Sequence, residues 1–285
     1  MNLVLLCKNH NHAKVVDLLM AFQEEGLRMR GIVALASPRV FPSIKVMARK
    51  LHERSCLRRH SARRAQELRH GVLPELEFSL SHNGGESPAQ EKGGEKLPAR
   101  GKTAGPPAAT IAAHARQHQI ALTVVNDLNG PSCAQALRAL EPGLMILGGV
   151  PIVREPILAI PQIGTLNVHM GWLPDMRGMN VAEWSIYRDV PVAVSVHFVD
   201  AGVDTGAILH RERCDVSFRR GLEEMRVQLS AFQHRVLARA ARLLLEGRLQ
   251  AIPQKPEQGK QYYAMHPRLR ALVENKLRAG YGNPV

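Results

Sequence analysis

An α/β chain built on an open, mostly parallel sheet, with a small helical C-terminal extension, is the fold class that the sequence predicts. Three observations predict it. Short runs rich in branched apolar residues, such as Leu3 to Cys7 and Ala121 to Val125, alternate with segments of helical apolar spacing. That alternation implies parallel strands joined by right-handed crossovers. Leu3 to Cys7 and Leu144 to Leu147 are apolar throughout, as strands covered on both faces are. Last, Leu222 to Leu245 follows a pair of strands as a long amphipathic segment, apolar at Val227, Leu229, Phe232, Val236, Leu237, Leu243 and Leu244. The result is a Rossmann-like sheet, in which ligands bind outside the carboxyl ends of the strands.

In order, Leu3 to Cys7 is the first strand; its flanks lack the basic leader and cleavage pattern of a signal peptide. Lys8-Asn9-His10-Asn11-His12 makes a turn, and Ala13 to Phe22 a helix through Val15, Val16, Leu18, Leu19 and Phe22. His10 and His12 have no third ligand nearby, so they read as loop residues near a site rather than metal ligands. Met29 to Ala36 is a strand and Ser43 to Arg69 a long basic helix. From Ser79 to Pro107 the chain carries Gly84-Gly85, Gly93-Gly94, Pro88, Pro98 and Pro106-Pro107 among charges. Such a stretch cannot bury enough apolar surface to offset its ordering entropy and is expected to be a flexible low-complexity insertion.

Thr110 to Gln117 resumes a helix, Ala121 to Val125 a strand, and Pro131 to Leu140 a helix with proline in its first turn. Leu144 to Leu147 is a strand that runs into Gly148-Gly149-Val150-Pro151. Strand character returns at Thr165, Leu166 and Val168, then helix from Val181 to Tyr187. Val192 to Phe198 and Ala207 to Glu212 read as an antiparallel pair, and a last short basic helix follows Pro267. Residues 1–78 and 108–216 thus make the main domain, 79–107 the insertion, and 217–285 the helical extension.

The formal charge of +13 points towards nucleic acid, but much of the excess sits from Lys45 to Arg69, around Arg58-Arg59 and Arg63-Arg64. No aromatic side chain interleaves with that run to offer a stacking platform, so it reads as a solvated basic helix. Cys7, Cys56, Cys133 and Cys214 are scattered, without a Cys-x-x-Cys pair. That suits reduced thiols in a cytoplasmic protein better than a disulfide framework or a zinc site. No apolar run approaches the length of a membrane span.

The stretch Ile163 to Trp184 carries the chemistry. Asn167 and His169 are two apart at the end of a strand and point to one face. An amide donor and an imidazole there can act on one carbonyl. Downstream, Val199-Asp200-Ala201-Gly202-Val203-Asp204-Thr205-Gly206 offers a carboxylate at Asp204, with glycines that allow backbone close to a ligand. The set Asn167-x-His169, Leu173-Pro174-x-x-Arg177-Gly178, Val194-x-Val196-His197-Phe198-Val199 and Val203-Asp204-Thr205-Gly206 resembles the folate-dependent formyltransferases in order and spacing. The likeness covers Leu144 to Cys214 well and the N-terminal segment in outline.

That resemblance implies the formyltransferase fold and the transfer of a formyl group from 10-formyltetrahydrofolate to a primary amine, with no metal. It implies that Asn167 donates to the formyl oxygen, that His169 moves protons and stabilises charge, and that Asp204 orients His169 and favours its charged form. Gly148, Gly149, Val150, Pro151, Asp200, Ala201 and Gly202 are the expected donor-binding residues. Arg177, Met179, Asn180, Trp172 and His10 are expected at the acceptor; Arg177 also reads as a loop anchor, Trp172 and Trp184 as packing, and His197 as buried or functional. The turn after the first strand has no glycine, unlike glycinamide-ribonucleotide formyltransferases. The tail beyond Tyr262 is too short for the barrel domain that methionyl-tRNA formyltransferases use to hold tRNA. His169-Met170-Gly171 followed by Leu-Pro and Arg-Gly looks more like the sugar-modifying branch, whose acceptors are amino sugars on nucleotides. The expected partners are therefore a small-molecule amine, anionic in that case, and a second copy of the chain as a candidate homodimer; nucleic acid and membrane are not expected. The alternatives are a formyltetrahydrofolate hydrolase, one of those two other formyltransferases, and a polyanion-binding protein on a degenerate formyltransferase scaffold.

Overall fold

The computed structural model describes residues 1–9, 12–36, 110–214, 221–255 and 257–281. The basic helix expected over 43–69, the insertion expected over 79–107, His10 and the domain boundary at 216 lie outside the described residues. The elements are β1 (Leu3–Lys8), α1 (His12–Glu24), β2 (Met29–Leu35), α2 (Ile111–Gln117), β3 (Ala121–Val125), α3 (Pro131–Leu140), β4 (Leu144–Gly148) and α4 (Glu155–Leu158). They continue with β5 (Gly164–His169), β6 (Met176–Gly178), α5 (Val181–Tyr187), β7 (Ala193–Phe198), β8 (Ile208–Arg213), α6 (Leu222–Leu245), β9 (Lys260–Tyr262) and α7 (Pro267–Arg278).

Seven strands form one sheet in the order β3-β2-β1-β4-β5-β7-β8. The first five are parallel, and β7 and β8 add antiparallel at the far edge. This is the α/β, mostly parallel class that the sequence predicts. Strand β1 is central, and alternate residues feed two layers. Leu3, Leu5 and Cys7 face α1, α2 and α6 through Leu18, Phe22, Ile111, Leu229 and Leu237. Val4 and Leu6 face α3 and α4 through Cys133, Leu137, Ile157 and Leu158. Burial raises the thiol pKa of Cys7 to about 12 and of Cys133 to about 11, which keeps both as inert core groups.

The helix ends follow local chemistry. Thr110 caps α2 by accepting from the Ala113 amide at 3.1 Å. Pro131 opens α3, and Glu141 closes it in the left-handed region. The start of α6 is capped from a distance: Leu222 N–H donates to Glu274 of α7 at 2.8 Å. A β-carbon at Gly221, whose φ is +97°, would collide with that carboxylate.

Two expectations are corrected. Val227 is 65% exposed, and the buried stripe of α6 is instead Met225, Leu229, Val236, Leu237 and three alanines at 238, 240 and 241. The helix presents small residues where it packs closely, so the larger apolar side chains do not trace the buried face alone. The loop before α5 contains β6, which pairs in parallel with β9 from the C-terminal segment. Sequence reading misses this ladder because each strand is only three residues long.

Ile146 on β4 is fully buried in the layer beneath α1 and α6. Ile146→Ala is expected to lower unfolding free energy by about 2–5 kcal/mol through lost contacts and a residual cavity. Val227→Ala should change it by less than about 0.5 kcal/mol. Urea denaturation of both variants checks the assignment of the two positions.

Candidate active site

The site lies where β5 ends. Antiparallel pairing with β7 sets Asn167 opposite His197 and His169 opposite Ser195. Ser195 Oγ donates to the Gly171 carbonyl at 2.7 Å and accepts from the Leu173 amide at 3.0 Å, which fixes the turn leaving β5. Asp204 comes from the loop between β7 and β8 with φ of +55°. Its Oδ2 accepts from the Gly178 amide at 2.9 Å and lies 3.3 Å from His169 Nδ1. Its Oδ1 is 3.6 Å from His197 Nε2. Asn167, His169 and Asp204 therefore meet, and His197 joins them: Asn167 Nδ2 is 3.4 Å from His197 Nε2.

Proton positions follow from the partners. His169 Nε2 is 2.7 Å from the Met176 carbonyl oxygen, which can only accept, so Nε2 carries a proton. The neutral ring then turns its Nδ1 lone pair towards Asp204. Burial lowers the His169 pKa below its ordinary 6.5, outweighing the upward pull of Asp204 and of the Met176 bond. Asp204 favours the charged form, as expected, but burial is the larger effect, so the ring is more readily neutral than an exposed imidazole. His197 donates from Nδ1 to the Phe198 carbonyl at 2.7 Å, and burial lowers its pKa as well.

A cavity of about 490 Å³ opens beside this group. Gly148, Gly149, Asn167, His169, Gly178, Asn180 and Glu183 line one side. Lys14 of α1 and Arg226, Gln233 and His234 of α6 complete the lining, and Arg226 Nη2 donates to Glu183 Oε1 at 2.6 Å. His234 is buried, its Nδ1 has no hydrogen-bond partner among the described residues, and burial together with Lys14 takes its pKa to about 4. Asn180, at the left-handed N-cap of α5, accepts from the Met265 amide at 3.1 Å and donates to Glu183 at 3.3 Å. The residues on α6 were missed as site residues. Their signal is polar side chains at Arg226, Ser230 and the pair Gln233-His234, three or four residues from one to the next along a helix otherwise read for its apolar stripe.

Several expected residues do not line this cavity. Arg177 is 7% exposed and points away: its Nε and Nη2 donate to Gln254 Oε1 at 3.2 and 2.9 Å. It is a loop anchor, one of the two sequence readings. Trp172 lies under Arg211 at 4.8 Å and borders a separate recess with Arg188, Arg213 and Tyr262. Met179 is 59% exposed outside the cavity. Val150 packs into the layer of α3 and α4, while Pro151 and Ala201 face solvent. Asp200 turns its carboxylate into its own loop, accepting from the Gly202 amide at 3.1 Å and Thr205 Oγ1 at 2.6 Å. The glycines there serve the loop itself: a β-carbon at Gly202 would strike Thr205, and one at Gly206 the Phe198 carbonyl. Among the described residues, no group of three or more His, Cys, Asp or Glu side chains could hold a metal ion, and no helix is long and apolar enough to cross a membrane.

The pattern of the formyl transferase family matches residues 92–241. The chain is 26% identical to the methionyl-tRNA formyltransferase of Bacteroides fragilis over 143 residues, which is 50% of this chain and 44% of that protein. It spans about half the length of the curated relatives it matches. In fold it is similar to glycinamide ribonucleotide transformylase 1 of Symbiobacterium toebii, with a TM-score of 0.53 at 17% identity over 88% of this chain and 94% of the other. It is also similar to the N-formyltransferase of Helicobacter canadensis crystallised with folinic acid and dTDP-3-aminofucose, with a TM-score of 0.51 at 10% identity over 92% and 71%. A family match over more than half its residues, on a sheet of this order, makes the chain a member of the formyl transferase family.

Proposed function

We propose that this chain transfers the formyl group of 10-formyltetrahydrofolate to a primary amine of a small molecule, a nucleotide-linked amino sugar being the acceptor class. The observation that carries this reading is the convergence of Asn167 and His169 at one wall of the cavity, with Asp204 set beside His169 at 3.3 Å. On the donor side, Gly149 has φ of +68° and no atom of the described residues within 4 Å of where a β-carbon would be, which suits the close approach of a flat ring's edge.

In this reading Asn167 donates its amide to the formyl oxygen, which gains negative charge as the amine adds to the formyl carbon. The attacking nitrogen must lose a proton. His169 accepts it at Nδ1, and Asp204 stabilises the resulting imidazolium. The same proton then goes to the nitrogen of the folate as its bond to the formyl carbon breaks. A histidine neutral at rest suits the first step, because a charged ring has no lone pair to offer.

Lys14 places positive charge on the cavity wall, while Arg226 is paired there with Glu183 at 2.6 Å. That balance favours an anionic acceptor, and the Helicobacter canadensis enzyme, caught with an amino sugar nucleotide, supports the class. One observation favours a second reading: the curated relatives are methionyl-tRNA formyltransferases, and the chain is strongly basic. An assay that follows tetrahydrofolate release with nucleotide-linked amino sugars, simple amines and methionyl-tRNA separates the two. Amine-dependent release with the sugar nucleotides is the expected result. Release only with methionyl-tRNA would move the assignment to the second reading, and formate production without any amine would make the protein a hydrolase.

His169→Ala should lower turnover about a hundredfold or more while folate-analogue binding is kept. The unmodified protein should show level turnover through neutral pH and an acid limb below pH 6.5, where His169 gains its proton before the amine can give one up. An acid limb that survives in a residually active His169→Ala enzyme would assign it to another group.

Gly149→Leu should abolish the rise in melting temperature that a folate analogue gives the unmodified protein by binding its native state. Differential scanning fluorimetry with and without folinic acid reads both proteins, and an undiminished shift in the variant would move the pterin away from the end of β4.

A further inference from the structure

We propose that Gln254, a residue of the segment between α6 and β9, is a positioning residue for the His169–Asp204 pair. The proposal rests on the formyl-transfer reading for its functional consequence, and on geometry alone for the positioning. Gln254 uses its whole side-chain amide. Oε1 accepts from Arg177 Nε and Nη2 at 3.2 and 2.9 Å, and Nε2 donates to the Asp204 carbonyl at 3.0 Å and the Gly206 carbonyl at 2.6 Å. One side chain thus joins β6 to the loop that carries the carboxylate.

The three residues of β6 make the link specific. The Met176 carbonyl holds His169 Nε2, the Arg177 side chain holds Gln254, and the Gly178 amide holds Asp204 Oδ2. Met176, Arg177 and Gly178 pair with Lys260, Gln261 and Tyr262, so the same C-terminal segment fixes the strand as well. The circuit runs from His169 through β6 and Gln254 to Asp204 and closes across the 3.3 Å gap between imidazole and carboxylate. Arg177 adds a chemical oddity: it is a buried guanidinium whose chief partner is a neutral amide. Packing alone would be served better by an apolar side chain. A bidentate donor facing an amide oxygen fixes that amide's orientation and aims its NH2 group at the two carbonyls. Gln254 lies beyond residue 241, where the family match ends.

The test uses Gln254→Met, close in volume and uncharged, on the full chain. His169 is read by NMR with nitrogen-15-labelled histidine in ligand-free protein. The titratable groups set against His169 are Asp204 and His197. Asp204 raises the His169 pKa, so its withdrawal should move the titration to lower pH. Turnover should fall by roughly ten- to a hundredfold with KM within about twofold, as for a misplaced reacting group. If Gln254→Met does not fold, Arg177→Met breaks the same circuit on its other side and should move the titration in the same direction. A folded variant with His169 titrating as in the unmodified protein overturns the proposal. A shifted titration in proteins that show no formyl transfer at all supports the positioning while ending the formyl-transfer reading.

Discussion

A carboxylate held between two buried imidazoles is the constraint on which the site depends. Asp204 faces His169 at 3.3 Å and His197 at 3.6 Å, and all three side chains are largely withdrawn from water. Burying an ionised group is costly unless donors surround it. Here the backbone supplies the dedicated donor, the Gly178 amide. That requires β6 to lie close to the loop after β7, and β6 is held there by β9 and Gln254. The seven-stranded sheet delivers Asn167, His169 and His197 on adjacent strands, but a sheet alone would leave Asp204 on an untethered loop.

The parts of the fold that repeat a simple period were legible in the sequence. Pro131–Leu140, Val181–Tyr187 and Leu222–Leu245 are helices at the bounds read from apolar spacing and a first-turn proline. Strands β1 and β4 were visible as apolar runs because both of their faces are covered. What escaped reading depends on contacts distant in sequence. β6 and β9 are short and far apart, so neither carries a period. Gln254 is a lone amide in a loop, and nothing local distinguishes it from a solvated residue.

The site divides in the same way. Asn167, His169 and Asp204 were found because a strand end and a glycine-flanked loop have fixed spacing, and Gly148 and Gly149 because they terminate β4. Arg177 was visible but ambiguous: a cation after Leu-Pro and before Gly fits both an anion contact and an anchor, and only its buried pairing with Gln254 decides. The far wall of the cavity was missed because a helix read for hydrophobic periodicity hides the polar residues that share its inward face.

Those polar residues give the two walls different electrostatic tasks. On the β5 side, burial lowers the proton affinity of His169 while Asp204 pulls it the other way. On the α6 side, Lys14 and burial together hold His234 at a pKa of about 4, so that ring stays neutral across the same range. Of these two rings, His169 is the one with a carboxylate beside it, so in the proposed reading it is the one that takes up a proton. In the proposed reading the cavity therefore has one wall that exchanges a proton, at His169, and a cation at Lys14 suited to holding an anion. That separation would let an acceptor bind through its charge without altering the protonation of His169.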